Sequence, residues 1–584
     1  MAKSIDPPSA VPRDQAGGGV AQTLPPDALA RLTAIVGAKY VLTRERAMRR
    51  YRTGYRFGGG PVATVVRPGT LVEQWRVLQI CVAAGAVVIM QAANTGLTGG
   101  STPDGDGYER PVVIISTLRI DAIHLLDGAR QVVCLPGATL YQLEMMLLPH
   151  GREPHSVIGS SCIGASVFGG VSNNSGGSLI RRGPAYTELA LYARLDESGD
   201  LVLVNHLGLD LGDGEAMLDR LDRGDLGDVD IATADHRCAS DPDYGVHVRD
   251  VDANTPARFN ADARKLFEAS GSAGKLILFA VRLDTFAREA DTHVFYIGTN
   301  DPHELGAIRR DMLGHDQLPV AAEYIHREAF DIAAVYGKDT FLAIQALGTN
   351  RLPRLFAAKA WVDGITSRSR LLPDGLSDMV MQRAGRLFPH HLPRRMRVFR
   401  DRYEHHLMIK VSATARDATV AYLATRFPSS KGDSFECSVE EGAAAFLHRF
   451  AVAGAAVRYR AIHPDKIEDI VSLDIALRRN DRDWFETLPD DIAAPIVHRL
   501  YYGHFFCHVF HQDYLVAKGH DVLALEHRMW ALLDKRGAEY PAEHNVGHLY
   551  LAKPALAAFY RRLDPCNAFN PGVGKQTKRA GWAE

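Results

Sequence analysis

Histidine marks where this chain could do chemistry. His504, His508 and His511 fall within one short run, Gly503–Asp513, and Glu543, His544 and His548 follow some 30 residues later. A neutral imidazole is a suitable general base near pH 7. Two imidazoles and a carboxylate can hold a divalent ion and leave positions open for a substrate hydroxyl and carboxylate. Neither H-E-x-x-H nor H-x-x-E-H occurs, which argues against a protease-type zinc site. For any single histidine here, His508 and His548 foremost, the alternative is a hydrogen-bonded structural role. A carboxylate substrate calls for a cation, best a guanidinium. Arg400, Arg402 and Arg449 flank the strands expected nearby and Lys410 lies on one. Spacing alone does not choose among them.

Two glycine-rich stretches suggest what such residues would serve. The first, Gln91–Ser101, follows the apolar run Ala86–Met90; the second is Gly159–Gly177. Glycine permits φ > 0 and close backbone approach, and successive N–H groups in such loops cradle phosphate. Two cradles suit a dinucleotide, with Ser101, Ser160, Ser166, Asn173 and Asn174 as further polar groups; a pair of tight turns is the alternative. Neither loop has the G-x-G-x-x-G spacing of a nicotinamide site. Gly271-Ser-Ala-Gly-Lys-Leu276 approaches a P-loop, but Leu276 stands where the magnesium-binding hydroxyl should be.

Ala93–Ser101 resembles the pyrophosphate loop of the vanillyl-alcohol oxidase/p-cresol methylhydroxylase flavoproteins. Gly271–Leu276, with the strand to Leu283, is similar to their later G-S-x-G-x-L element. Within that superfamily, Gly151–Ser166, Arg449–Ala456, Tyr501–Phe505 and Pro541–Tyr550 resemble the bacterial quinone-dependent D-lactate dehydrogenases, from about residue 30 onward.

The resemblance implies an α+β fold: a p-cresol methylhydroxylase-type FAD-binding domain, an α+β cap domain and a basic membrane-docking insertion. It implies non-covalent FAD, with contacts at Ala92, Ala93, Asn94, Thr95, Gly96, Gly100, Ser101, Gly159, Ser166 and Gly176, and at Leu278 through its backbone. The 2-hydroxy-acid branch carries an H-x-G-D-G-N-x-H segment and a later E-H-G pair. His504 and His511 match its two histidines, and Glu543 and His544 its acid–base pair. His544 is then the base, and His504, His511 and Glu543 would hold zinc, iron or manganese. Phe505–Phe510 and Asn545 depart from that pattern. Arg400, Arg449 and Lys410 are the substrate-carboxylate candidates. The implied reaction is oxidation of D-lactate to pyruvate by hydride transfer to flavin N5, with electrons passed to a membrane quinone. Alternatives are another D-2-hydroxy-acid dehydrogenase or oxidase, or a flavin electron-transfer protein without its own substrate.

A chain of 584 residues exceeds one core. The overall net charge of −2 speaks against a nucleic-acid partner, but residues 351–402 carry 12 basic and 4 acidic residues, a local net of +8 against −10 elsewhere. Basic residues interleave there with Leu355, Phe356, Trp361, Leu371, Leu372, Leu387 and Phe388, which suits an anionic lipid surface. Seven cysteines without C-x-x-C indicate a reducing compartment. No signal peptide or spanning run is read, so the expectation is a peripheral protein on the cytoplasmic face of the inner membrane.

Periodicity predicts a helix over 71–84, strands over 86–90, 112–115 and 132–135, and a helix over 139–148. Further strands are read over 275–283, 293–297 and 403–411, and further helices over 301–313 and 555–563. Residues 207–260, rich in Asp and Gly, read as a long, partly disordered excursion. The expected division is a disordered tail over 1–30, the FAD domain over 31–285, cap segments over 286–350 and 403–530, and the basic segment over 351–402. Residues 531–584 return to the FAD domain through Asp564–Gly572.

Overall fold

The computed structural model describes residues 23–155, 164–232, 235–347, 376–385, 387–388 and 390–583. The chain enters its first helix at Pro26, inside the segment read as a tail.

Three sheets organise the molecule. The first joins β1 (Val41–Leu42), β2 (Thr64–Val66), β3 (Val87–Gln91) and β4 (Val112–Ser116) in the order β1-β2-β4-β3, with β2, β4 and β3 parallel. Its strands read as nearly unbroken Val and Ile, as expected where both faces are covered. Helix Leu71–Ala83 supplies the crossover into β3; Thr70 caps it by accepting from the Glu73 N–H.

The second sheet is antiparallel: β5 (Ile123–Leu126), β6 (Gln131–Cys134), β7 (Arg152–Pro154), β8 (Ala190–Leu195), β9 (Leu201–His206) and β10 (Ile277–Ala287). Thr139 and Gln142 form a reciprocal capping box at the start of helix Leu140–Leu147.

The third sheet carries the site. It comprises β11 (Thr292–Thr299), β12 (Ala321–His326), β13 (His405–Ser412), β14 (Gly432–Glu436), β15 (Ile467–Ala476), β16 (Ile496–His504) and β17 (Val509–Ala517). Their order is β14-β11-β13-β12-β16-β17-β15, antiparallel throughout. Alternation gives each strand two faces. Tyr324, Leu407, Ile409, Leu473, Tyr501 and Phe510 pack on one. The other holds Tyr296, Ile325, Met408, Leu500 and Tyr502 against helices Arg327–Tyr336, Val439–Phe450 and Val452–Ile462.

The predicted helices and strands named above all form, with ends that coincide or shift by up to four residues. The reading of 207–260 needs correction. Its described part forms helices Gly214–Arg223 and Tyr244–Arg249 and buries Leu218, Leu221, Tyr244, Val248 and Arg258. Its Asp residues are spent on local turns and ion pairs, such as Asp230 with Arg220, rather than on solvating a loose chain. The C-terminal segment returns to the first sheet, where Phe569 bridges Val88 and the Asn570 side chain donates to the Gly100 and Ala273 carbonyls.

Candidate active site

The register of the third sheet lines up a row of ionisable side chains on one face. Glu323 of β12 lies opposite His504 of β16, and His511 of β17 lies opposite both Tyr502 of β16 and Asp474 of β15. Directly paired residues share a face, so three strand pairings bring together residues up to 188 positions apart. The segment after β15's partner Glu539 completes the row: the Ala542 N–H donates to the Asp474 carbonyl, and the Glu543 and His544 N–H groups donate to Asp474 Oδ2 at 2.6 and 2.9 Å.

The nitrogens of the two ligand-type histidines face opposite kinds of partner. His504 Nδ1 is 2.7 Å from Glu323 Oε1, and His511 Nδ1 is 3.4 Å from Asp474 Oδ1. Their Nε2 atoms point at one another across 3.5 Å, and His504 Nε2 is 3.4 Å from Glu543 Oε2. One ligand atom each from His504, His511 and Glu543 falls within a 4.8 Å cluster. Two Nε2 atoms and a carboxylate oxygen converging on one point, with each Nδ1 against a further carboxylate, is the arrangement of a metal site with its orienting outer partners. The donor set fits a divalent ion of the zinc, iron or manganese type.

The electrostatics are those of a buried, interlocked cluster. Burial pushes the Glu543 carboxyl up, but Arg258 and His504 outweigh it and hold it at about 2. Burial likewise opposes ionisation of Glu323, and Arg449 and His504 bring it below its ordinary value. Burial lowers His504, while Glu323 and Glu543 raise it further, so it ends above the ordinary imidazole value. His511 ends below, because burial outweighs Asp474. Arg258 is fully buried, donates to Glu543 and to the Gly177 carbonyl, and makes this the most enclosed ion pair of the site.

The glycine loop after β3 lies under this row. Ala92, Ala93, Asn94, Thr95, Gly96, Gly100 and Ser101 are half-buried. Asn94 sits at φ 54°, its amide donates to the Thr53 carbonyl, and Ser101 Oγ donates to Asn94 Oδ1. A Cβ on Gly96 or Gly100 would come within 2.8 Å of Asn545 Nδ2, so the loop keeps bare backbone where the residue after His544 packs against it. Thr98 ties the two parts together: its hydroxyl donates to the Asn545 carbonyl, and its own carbonyl accepts from the His548 N–H. The residue pair Glu543-His544 is thereby anchored directly above the loop.

Other expected positions fall as follows. Ser166 caps a short helix by accepting from the Gly169 N–H. Gly176 lies against Glu543 and Arg258. The Leu278 carbonyl accepts from the Gln74 side chain. Gly159 lies outside the described residues. Arg449 joins the row: its Nε is 2.5 Å from Glu323 Oε2 and its Nη2 3.4 Å from His504 Nδ1. Lys410 is on the same sheet face as Glu323, two residues beyond Met408, with Nζ 4.4 Å from the Phe446 ring centre. Arg400 is elsewhere: its guanidinium is held by Asp331 and Asp401 on the outside of the cap. His508 and His548 are structural, His508 facing the Arg478 carbonyl and His548 the Gly572 and Thr102 carbonyls. Glu323, Asp474, Arg258 and Tyr502 are site residues that sequence reasoning missed. The only signals were single charged residues inside apolar strand patterns for Glu323 and Asp474.

The described part of the basic segment forms helices Leu376–Gly385 and Arg394–Arg402. Met396 and Phe399 face inward, Arg395 pairs with Glu441 and Arg402 with Asp433. Leu387 is 86% exposed and Phe388 55%. Leu355, Phe356, Trp361, Leu371 and Leu372 lie outside the described residues. Among the described residues no helix is long and apolar enough to cross a membrane, and Cys81, Cys134, Cys238, Cys437, Cys507 and Cys566 are free thiols.

Comparison with known proteins covers nearly the whole chain. The sequence model for a family described as "D-lactate dehydrogenase, membrane binding" matches residues 294–582, and that for "FAD binding domain" matches 62–202. The chain is 56% identical over 558 residues to the quinone-dependent D-lactate dehydrogenase of Escherichia coli (strain K12), covering 95% of this chain and 98% of that one. The enzyme of the same name from Corynebacterium glutamicum is 47% identical over 569 residues, covering 97% and 99%. Among solved structures, p-cresol methylhydroxylase with substrate bound superposes with a TM-score of 0.56 at 11% identity, covering 98% of this chain and 99% of that one. Alkyldihydroxyacetonephosphate synthase superposes at 0.55 with 12% identity, covering 97% and 88%. These two likenesses establish the fold, a p-cresol methylhydroxylase-type FAD-binding architecture of α+β class.

Proposed function

Since this chain belongs to the family of quinone-dependent D-lactate dehydrogenases, we infer that it oxidises D-lactate to pyruvate with FAD and delivers the electrons to a quinone. The observation that carries the site assignment is the convergence of His504, His511, Glu543 and His544 above a bare-backbone glycine loop.

Oxidation of a 2-hydroxy acid removes the hydroxyl proton and the Cα hydride. His544 takes the proton. Its side chain is 40% exposed, so a substrate can reach it, and its Nδ1 is turned toward Asp474, which leaves Nε2 for the hydroxyl. FAD, when bound, supplies the hydride acceptor. Non-covalent holding is favoured by the loop itself, where Asn94, Gly96, Gly100 and Ser101 offer backbone and amide groups to a pyrophosphate. A divalent ion on His504, His511 and Glu543 would supply Lewis acidity toward the substrate oxygens. Arg449 and Lys410 provide positive charge for the lactate carboxylate. Lys410 has no carboxylate within ion-pair distance among the described residues, and burial lowers its ammonium pKa in spite of the opposing pull of the more distant Glu323 and Glu153. An anionic substrate restores what burial takes away.

Membrane association follows from the family description of residues 294–582. The surface we assign to it combines Arg394 and Arg397 with Leu387 and Phe388. Basic and apolar groups side by side suit anionic headgroups, which the cytoplasmic leaflet carries.

The test is stopped-flow bleaching of the flavin by D-lactate. His544→Ala should slow it by roughly 100-fold or more, the usual worth of a general base, with FAD content unchanged. A variant that bleaches at the parental rate would remove His544 from the reaction.

A further inference from the structure

The reaction inferred above asks two neighbouring imidazoles for different things. His544 must offer an unprotonated nitrogen to a hydroxyl, and His511 must offer one to the space it shares with His504 and Glu543. An imidazole does either with Nε2 only if its proton sits on Nδ1. Both Nδ1 atoms face the same side chain. Asp474 places Oδ1 3.4 Å from His511 Nδ1 and Oδ2 3.4 Å from His544 Nδ1. The two rings lie 6.0 Å apart, inclined by 28°, on either side of it.

The carboxylate is itself immobilised. Oδ2 accepts from two successive backbone N–H groups, those of Glu543 and His544. Asp474 is 2% exposed at the end of β15, opposite His511 in the ladder. Were it there only to tie down the 542–544 segment, Oδ2 would suffice. Oδ1 is buried and makes no hydrogen bond, with His511 Nδ1 facing it at 3.4 Å, and a buried carboxylate oxygen left without a donor is costly. Burial would raise its carboxyl, but His544, His511 and the backbone donors hold it far below the ordinary range.

We propose that Asp474 is a positioning residue that sets both tautomers at once, turning Nε2 of His544 to the substrate hydroxyl and Nε2 of His511 to the centre of the His504–Glu543 cluster. The inference rests on the reading of His544 as base. Its distances of 3.4 Å shorten as the imidazole takes up the hydroxyl proton, since hydrogen bonds at catalytic residues tighten as the reacting complex forms. Asp474 thereby also stabilises the imidazolium, without itself taking the proton.

The experiment uses full-length, FAD-loaded enzyme. Asp474→Asn keeps the shape and, with its oxygen in the Oδ2 place for the backbone N–H groups, presents the amide N–H₂ to His511 Nδ1, forcing that ring's proton to Nε2, while it withdraws from His544 the charge that stabilises its imidazolium. Flavin bleaching by saturating D-lactate should slow by about 100-fold or more, with the FAD-to-protein ratio retained. In a His544→Ala background the same change should cost a clearly smaller factor, because residues acting as one unit are not additive. An Asp474→Asn enzyme within about 3-fold of the parent, or an equal loss in both backgrounds, overturns the proposal. Asp474→Glu serves as the second variant should the Asn form lose FAD. It keeps the buried charge but moves it by one methylene, so a role of charge alone predicts the parental rate and overturns the proposal, whereas positioning predicts a slow enzyme. If His544→Ala alone bleaches at the parental rate, the base assignment falls and this inference with it. If His544→Ala is slow and Asp474→Asn is fast, only the inference falls.

Discussion

Gly176→Ala adds one methyl group at the point where the second glycine-rich stretch meets the site. The backbone at Gly176 is outside the left-handed region, so alanine carries no conformational penalty and the effect is purely steric. An alanine Cβ there would stand 2.3 Å from Glu543 Oε1 and 2.5 Å from Arg258 Nε. Ordinary contact requires about 3.4 Å or more, so one partner must retreat by roughly 1 Å. Neither has room: the side chains of Glu543 and Arg258 are 8% and 3% exposed and locked in the same ion pair. Overpacking of this kind costs ~1–3 kcal/mol, and moving a reacting group by about 1 Å can cost ~100-fold in rate. The expected outcome is a flavin-reduction rate by D-lactate, measured per bound FAD, lower by about 10- to 100-fold. Gly454→Ala is the control. It lies in helix Val452–Ile462 with nothing within 4 Å of its added Cβ, and should stabilise by roughly 0.5–1 kcal/mol without touching the rate. A Gly176→Ala enzyme reducing flavin at the parental rate would refute the placement of Glu543 in the reacting cluster.

Three further outcomes follow from the same geometry. Protein purified without added metal should carry about one zinc, iron or manganese per chain by elemental analysis; full activity in chelator-treated, metal-free enzyme would reduce His504, His511 and Glu543 to pocket lining. Arg394→Glu with Arg397→Glu should release the enzyme from anionic vesicles in sedimentation and leave lactate-dependent dye reduction intact. Arg395 is a poor choice for that test, because it already pairs with Glu441; unchanged binding, or equal binding to neutral lipid, would place the membrane contact elsewhere. Arg258→Met should destabilise the protein by ~3–5 kcal/mol, the cost of stranding one half of a buried ion pair, read as earlier loss of FAD and tryptophan fluorescence on denaturation; a change below about 1 kcal/mol would show Glu543 to be satisfied without it.

Legibility of this site in the sequence depended on how far apart its parts lie. His504 and His511 sit seven residues apart on a hairpin, β16 and β17, and Glu543 is next to His544, so short-range pattern matching reaches them. The first glycine loop is likewise one contiguous segment. Glu323, Asp474 and Arg258 reach the site through long-range pairings of the third sheet and a crossing from 207–260, and no local spacing encodes a strand register. Arg258 was further hidden by composition: Asp and Gly around it suggested a loose excursion, whereas the structure uses those residues in turns and ion pairs and sends one guanidinium into the core. Arg400 misled for the opposite reason. It lies close to β13 in sequence, but one turn of helix Arg394–Arg402 directs it to Asp331.

The charge distribution explains why this site is tied so tightly. Glu323, Asp474 and Glu543 are all buried carboxylates, and Arg258 and Arg449 are the two guanidiniums that meet them. One carboxylate is therefore left to be answered by something else. Burial lowers the His504 imidazole, yet Glu323 at Nδ1 and Glu543 at Nε2 together raise it above its ordinary value, so this corner of the cluster favours positive charge. A divalent ion at the meeting point of His504, His511 and Glu543 would answer the third carboxylate with one positive charge to spare. That would let the cluster accept one more anion, with Arg449 beside His504 and Lys410 farther along the same sheet face as the nearby cations. A small 2-hydroxy acid bears that charge on the carbon next to the one being oxidised, so the group that binds it and the group that deprotonates its hydroxyl must stand within one substrate's length; Arg449, beside His504, meets that requirement better than Lys410, which lies on β13, four strands from Asp474 on β15.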